Sequence, residues 1–318
     1  SPCITHGLKR KLNDIKFRRL LRGLPGGRNF PRSINLSVSA VCQARFIFCP
    51  TSRGVEIEPK YMPLELARKI VDEAEKECFQ GTVKFGENGE ALLHKGFIDI
   101  VSYAREKLPR NFFMLISNIG ELSGEISEKL LRLDLGVLHC NMDGASARTY
   151  ECAKPGLSFE RVKANLLEFI RIREKMRARC KLEILILTPK TYMRKIEHKK
   201  IDLPDDTQDI IRFWGPFLRK DDAIRVVDMP YSWAVRDKIK REKQFHCQLF
   251  DRLLGECFIA PDGRVYVCCY DYNAQVSFGN VREQSLREIW NGTKRQEILG
   301  KIRNKQFNQI GSPCLFCT

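Results

Sequence analysis

From Ser33 to residue 229 the chain alternates short β-rich runs with longer stretches in which apolar residues recur three and four positions apart. The short runs are "SINLSVS" (33–39), "TVKF" (82–85), "FFMLIS" (112–117), "GVLHCN" (136–141), "LEILILT" (182–188) and "AIRVVDM" (223–229). Between them the periodicity predicts helices from Pro63 onward, over 97–107, 122–133 and 159–177, and near 205–214. In the first of these, Ala67, Ile70, Val71, Ala74 and Cys78 share one face, and Pro63 suits a helix start because it lacks the N–H that would go unbonded there. Strand and helix in alternation is the signature of parallel βαβ units. Six units are too few to close an eight-stranded barrel. The expectation is an α/β fold, a partial (β/α)6 TIM-like barrel open on one side, with its site at the C-terminal ends of the strands.

Near residue 230 this rhythm stops. A basic stretch, "RDKIKREKQFH", leads into "FIAPDGRVYVCC", which reads as a strand, a Pro-Asp-Gly turn and a second strand. The remaining residues hold few apolar runs, and a core that small is marginal without a staple such as a metal. The chain therefore divides into a basic N-terminal extension (1–32), a barrel (33–232) and a small cysteine-rich C-terminal domain (233–318).

Composition narrows the setting. Hydrophobic residues make up 43% and charged residues 30%, which are globular values, and no apolar stretch reaches the roughly 18 residues of a membrane span. No segment resembles a secretory signal, so a cytoplasmic, reducing compartment is expected. Thirteen cysteines there point to metal rather than to disulfides. Cys42 with Cys49 and Cys314 with Cys317 form local pairs, and Cys247, Cys257, Cys268 and Cys269 crowd the C-terminal quarter; Cys3, Cys78, Cys140, Cys152 and Cys180 are scattered and read as small buried hydrophobes. The formal charge of +16 calls for an anionic partner. Part of it is local: residues 9–32 carry nine basic side chains and one acid, with Phe17, Leu20, Leu21 and Leu24 at helical spacing. That pattern fits an N-terminal helix docked by its apolar stripe, or one lying on anionic lipid.

The chemistry turns on "VCQARFIFCP" (41–50), the loop leaving the first strand. Cys42 and Cys49 stand seven apart with Phe48 before the second, and the loop resembles the cluster loop of the radical S-adenosylmethionine (SAM) superfamily, CxxxCxφC. In that family three thiolates hold three irons of a [4Fe-4S] cluster, and the fourth iron binds the amino and carboxylate groups of SAM. Cys42 and Cys49 match the outer positions and Phe48 the aromatic one, whereas Phe46 replaces the middle ligand and impairs the SAM-binding cluster. "FGENGEALLH" (85–94) resembles the family's GGEP loop, so that Gly89 and Glu90 match the residues that receive the SAM ammonium, with Ala91 in place of Pro. Ser117 and Asn118, ending the third strand, resemble the polar groups that contact SAM there. "NMDGASARTYECAKPGLSFERV" (141–162) is similar to the family's S-x-D-G segment, which adds Asn141, Asp143 and Lys154. Turn and capping chemistry is the alternative use of these polar residues.

The C-terminal region resembles the SPASM/twitch extension of the same superfamily. Cys247, fifteen residues, Gly263, four residues and Cys268 fit C-x(9–15)-G-x4-C, and "FGNVREQSLREIWNG" (278–292) precedes the closing CxxC of Cys314 and Cys317. Those four cysteines suit one auxiliary [4Fe-4S] cluster, as in the single-cluster twitch form; on spacing alone a four-cysteine zinc site is the alternative.

The resemblance implies reductive cleavage of SAM to a 5′-deoxyadenosyl radical, C–H abstraction from a peptide or carbohydrate-type substrate, and dehydrogenation, epimerisation or cross-linking as the outcome. An electron donor such as flavodoxin or ferredoxin is implied too. An epimerase needs a thiol to return hydrogen, and Cys140, Cys257 and Cys269 are the candidates. As the sequence stands, Phe46 is expected to disable this chemistry, unless another residue supplies the third ligand. The other class of function is a non-catalytic, metal-containing binding protein that uses its basic surface to hold an anionic partner.

Overall fold

The computed structural model describes residues 29–47, 49, 52, 58, 60–188, 205–228, 247 and 249–314. The basic run at 9–28 and the basic stretch at 234–243 lie outside them, as do Cys3, Phe48 and Cys317.

Six strands follow the predicted rhythm: β1 (Ser33–Leu36), β2 (Thr82–Phe85), β3 (Phe112–Ser117), β4 (Val137–Asn141), β5 (Lys181–Thr188) and β6 (Ala223–Asp228). They pair in parallel, each with its predecessor. Helices α1 (Leu64–Lys76), α2 (Phe97–Lys107), α3 (Gly124–Arg132), α4 (Ala147–Ala153), α5 (Phe159–Lys175) and α6 (Thr207–Trp214) form the connections. A partial barrel of the expected kind results. Helix α4 was not expected; it begins in a capping box in which Ser146 and Thr149 bond each other's backbone, a local signal within "GASART". Ser123 and Ser158 cap α3 and α5 by their side chains alone, each accepting from the amide three residues on.

Alternation along each strand separates two faces. Ile34, Leu36, Val83, Phe85, Leu138 and Leu182 join one core with Ile70 of α1 and Phe169 of α5, and so face the helices. The intervening Asn35, Lys84, His139 and Glu183 face the other way, into the concave side. Residues Ala67, Ile70, Val71 and Ala74 bury the predicted stripe of α1. Cys78 does not belong to that stripe: the helix ends at Lys76 and Cys78, exposed, turns the chain at φ 50°.

The C-terminal region carries β7 (Glu256–Ile259), β8 (Arg264–Tyr266) and β9 (Ser277–Asn280), with α7 (Phe250–Leu253), α8 (Leu286–Asn291) and α9 (Thr293–Arg303). The expected hairpin is β7–β8, with Gly263 at φ 91° in its turn. Its strands extend the barrel: β7 pairs in parallel with β1, from Ser33↔Glu256 to Leu36↔Ile259, giving one sheet in the order β6-β5-β4-β3-β2-β1-β7-β8-β9 among the described residues. Helix α1 fastens the far side. The Glu73 carboxylate accepts the Leu286 amide at the start of α8 at 2.6 Å, Lys69 donates to the Val281 carbonyl, and Arg287 pairs with Glu77 at 2.6 Å. The C-terminal region thus shares both sheet and core with the barrel.

Candidate cofactor site

The cysteine loop is held by its neighbours' backbone. Arg45 N donates to Pro155 O at 2.7 Å, Ile47 N to Ala153 O at 3.0 Å, and Glu90 N to Val41 O at 2.8 Å; Cys49 N closes a turn on Phe46 O at 2.8 Å. Two glycines permit this approach. A Cβ on Gly89 (φ 71°) would lie 2.3 Å from Ser39 O, and one on Gly156 (φ 95°) 2.4 Å from Gln43 O. Neither position admits another residue without moving the loop.

Within this frame Cys42 is exposed and Cys49 half-buried, and Asn118 Nδ2 approaches Cys42 Sγ at 3.6 Å. Asn118 also exchanges hydrogen bonds with the Gln43 amide at 3.3 and 3.4 Å. Glu90 is buried. Its Oε1 accepts from Ser117 Oγ at 2.8 Å and Leu92 N at 3.1 Å, and its Oε2 from Asn118 N at 2.7 Å. Burial pushes the Glu90 carboxyl up from its ordinary value, and these three donors hold it down in part. Gly89, Glu90, Ser117 and Asn118 are thereby brought together beside Cys42, at the C-terminal ends of β2 and β3.

Asp143 and Lys154 also meet. Lys154 Nζ lies 2.9 Å from Asp143 Oδ2, with side chains 3% and 1% exposed, and donates to Asn141 O at 2.9 Å. Asp143 Oδ1 accepts the Leu187 amide at 2.6 Å. The same ammonium stands 5.3 Å from the ring centre of Phe46 and 5.3 Å from that of Tyr150. At the middle position of the loop there is therefore an aromatic ring seated on a buried cation. Two thiols and a phenyl ring do not fit a cluster that needs three thiolates.

At the other end Cys247, Cys268 and Cys314 belong to, or pack on, one apolar cluster, and no described cysteine is in a disulfide. The fourth of the set, Cys317, is outside the described residues. Among the described residues no group of three or more His, Cys, Asp or Glu side chains stands at metal-binding distance. Cys268 and Cys314 are buried and Cys247 half-buried, and soft thiols are the donor chemistry that an iron–sulfur group takes.

The three thiols considered as hydrogen donors separate. Cys140 and Cys257 are not on the concave side: both are buried in the core shared with the helices, the consequence of strand alternation, and burial pushes each up to about 12. Cys269 packs on Phe258, Ala260, Tyr266 and Ala274, a small cluster on the opposite face from Cys257. The concave face also holds residues that sequence reasoning missed. Glu256 accepts from Lys84 Nζ at 3.1 Å and from Arg252 at 2.9 and 2.8 Å; His139 Nδ1 lies 3.3 Å from Glu183, which accepts from Arg225 at 2.8 Å; Tyr266 OH bonds Ser37 and Asn88 at 3.2 and 3.1 Å. A signal was present in the polar residues alternating within otherwise apolar strands.

Residues 247–318 match the family model of the SPASM iron–sulfur cluster-binding domain. The AdoMet-dependent heme synthase of Methanosarcina barkeri is 23% identical over 330 residues, covering 91% of this chain and 89% of that one. The crystal structure of BtrN in complex with AdoMet and 2-DOIA superposes with a TM-score of 0.59 at 15% identity, covering 91% of this chain and 93% of that chain. Native anSMEcpe with bound AdoMet and Kp18Cys peptide gives 0.60 at 14%, covering 86% and 83%.

Proposed function

We propose that this chain, a member of the radical SAM superfamily and its SPASM subfamily, holds an auxiliary [4Fe-4S] cluster on Cys247, Cys268, Cys314 and Cys317 and is disabled at the SAM-cleaving loop by Phe46. The observation that carries this reading is the seat of the Phe46 ring on Lys154, 5.3 Å from its ammonium, in a loop otherwise complete. With a third thiolate in place, the loop would hold the cluster that cleaves SAM for C–H abstraction from a peptide or carbohydrate-type substrate, with electrons from a flavodoxin or ferredoxin. Peptide and carbohydrate-type substrates are carried over from relatives whose structures hold a peptide and 2-DOIA. The chain's own residues contribute order. Gly89 and Gly156 let the loop close on its neighbours, Glu90 offers a fixed carboxylate to an ammonium, and Asn118 braces Cys42. In the C-terminal site, four thiolates would supply a redox-active group that can exchange an electron with the substrate.

The same ring contact favours a second reading, a non-catalytic binding protein, because Phe46 is packed rather than intruding. One experiment separates the two. Anaerobic reconstitution of the chain should give about four irons per molecule, and of Phe46→Cys about eight, as two four-iron clusters require. If Phe46→Cys loads eight irons and forms 5′-deoxyadenosine with a reductant, the enzyme reading holds. Eight irons without SAM cleavage supports the binding protein, and eight irons in the unaltered chain refutes the assignment of Phe46.

A further inference from the structure

We infer that His139 accepts a hydrogen bond from a hydroxyl group of the ligand on the concave face: Glu183 fixes the hydrogen on Nδ1 and leaves the Nε2 lone pair to the barrel interior. The inference rests on the reading above only in taking the concave side as the ligand side.

Three strands build the arrangement. His139 on β4 and Glu183 on β5 are register partners, so both side chains leave the same face of the sheet, and Arg225 reaches them from β6. His139 Nδ1 lies 3.3 Å from Glu183 Oε2, and Arg225 Nη2 donates to Glu183 Oε1 at 2.8 Å. Burial alone would raise the Glu183 carboxyl, but His139 and Arg225 outweigh it and hold the group below its ordinary value. An ionised carboxylate only accepts, so Nδ1 carries the hydrogen, and in the neutral ring Nε2 is then an acceptor. The two nitrogens of an imidazole point apart, which turns Nε2 away from Glu183. No described residue bonds Nε2, and it is not among the enclosed polar atoms without a partner. The 16% of the side chain left exposed therefore includes this nitrogen.

A brace near the end of the sheet, where β6 is the last strand among the described residues, is the plain account of this cluster. It explains why Glu183 is held from both sides. It does not call for a histidine, whose second nitrogen it leaves bare, whereas an acceptor fixed in one tautomer is what recognition of a hydrogen-bond donor needs. The ring is recessed. A hydroxyl stands out from its carbon and reaches a recessed nitrogen, whereas a backbone N–H lies flush between two side chains. Arg225 is 45% exposed and is joined to Glu183 through Nη2 alone among the described residues, so it keeps N–H groups that can donate to the same hydroxyl or to its neighbour. An acceptor and a donor on either side of one carboxylate match a polyol, which both gives and takes hydrogen bonds. Of the two substrate types above, this selects the carbohydrate type.

The test uses the full chain, reconstituted anaerobically and isotope-labelled in its histidine rings, in buffer above the ordinary imidazole range. Nitrogen resonances report the tautomer, and those of His139 are identified by their loss in His139→Phe. The parent should show Nδ1 bearing hydrogen and Nε2 bare. In Glu183→Gln the side-chain oxygen stays on Arg225 and the amide NH2 faces Nδ1, so the hydrogen should move to Nε2, as when a carboxylate behind a histidine is replaced by an amide. Arg225→Met should leave the parent pattern. The probes are myo-inositol, dioxane, which is a ring of the same size that only accepts, and the peptide Ac-Gly-Gly-amide. Inositol should shift the Nε2 resonance of the parent saturably, and dioxane should do so in Glu183→Gln alone. Read as a rise in melting temperature, inositol binding should weaken about tenfold in His139→Phe, the scale of one hydrogen bond. Should Glu183→Gln not fold, judged by circular dichroism, the parent and Arg225→Met carry the test. Hydrogen on Nε2 in the parent, an unchanged tautomer in folded Glu183→Gln, no response to inositol, an equal response of the parent to dioxane, or a response to the peptide alone each overturns the inference. Iron is counted in the same samples: full auxiliary-cluster iron without an inositol response sinks this inference alone, and absent iron sinks the auxiliary-cluster reading while the tautomer result stands.

Discussion

Lys154 stands between Asp143 and Phe46: its ammonium is 2.9 Å from the Asp143 carboxylate and 5.3 Å from the centre of the Phe46 ring. One buried cation thus ties the segment after β4 to the cysteine loop, and backbone hydrogen bonds from Arg45 and Ile47 to residues 155 and 153 close the same contact. The loop keeps its shape through protein contacts at the position where Phe46 stands in place of the motif's middle cysteine.

Lys154→Met should be strongly destabilising, by about 3–5 kcal/mol, because it strands the Asp143 carboxylate in the interior. Lys154→Met with Asp143→Leu should recover part of that loss. Phe46→Leu should cost much less, about 1 kcal/mol or so, since it removes a cation–ring contact and some packing but leaves the ion pair. Urea midpoints for the set check the order, and a Phe46→Leu cost equal to that of Lys154→Met would contradict the pair's primacy.

Glu256 makes stability depend on acid. Burial alone would raise its carboxyl, but Lys84 and Arg252 outweigh it and hold the group at about 2, below its ordinary 4.5. A depressed carboxyl contributes fully above the unfolded value and loses that contribution as pH falls from 4.5 toward 2, here of the order of 3 kcal/mol. Denaturation midpoints measured down through this window should fall more steeply for the parent chain than for Glu256→Gln. Parallel curves would remove Glu256 from the account.

Replacing Cys314 and Cys317 by Ala should lower iron content and loosen the C-terminal region, because a group bound only by the folded state stabilises that state. Hydrogen exchange over 256–303 is the readout, together with the metal. Zinc in place of iron after anaerobic reconstitution would turn the site into a structural one.

Glu73→Ala should destabilise the chain by about 1 kcal/mol, the scale of a lost helix cap, although Glu73 lies in α1 and the helix it caps is α8. Protection from hydrogen exchange should drop in both helices. A change confined to α1 would mean that the C-terminal region is not held through this contact.

The sequence by itself determined the element order and the local motifs. Apolar residues three and four apart need one buried helix face, and short β-rich runs between them need a sheet, so the six strands and most helix limits followed from local pattern. The cysteine spacings, Glu90 and the Pro-Asp-Gly turn were legible for the same reason: each is set within a few residues. Tertiary structure decided what depends on which strand lies beside which. Nothing local tells β7 to pair with β1, so the sharing of one sheet by barrel and C-terminal region was hidden, and with it the meeting of Arg252 and Glu256 with Lys84, 172 residues from Glu256. Strand alternation, once register is fixed, turned Cys140 and Cys257 toward the helices and left Cys269 on the other side. The contact of Phe46 with Lys154 belongs there as well, because a ring and a cation more than a hundred positions apart meet only when the fold brings two loops to the same end of the barrel.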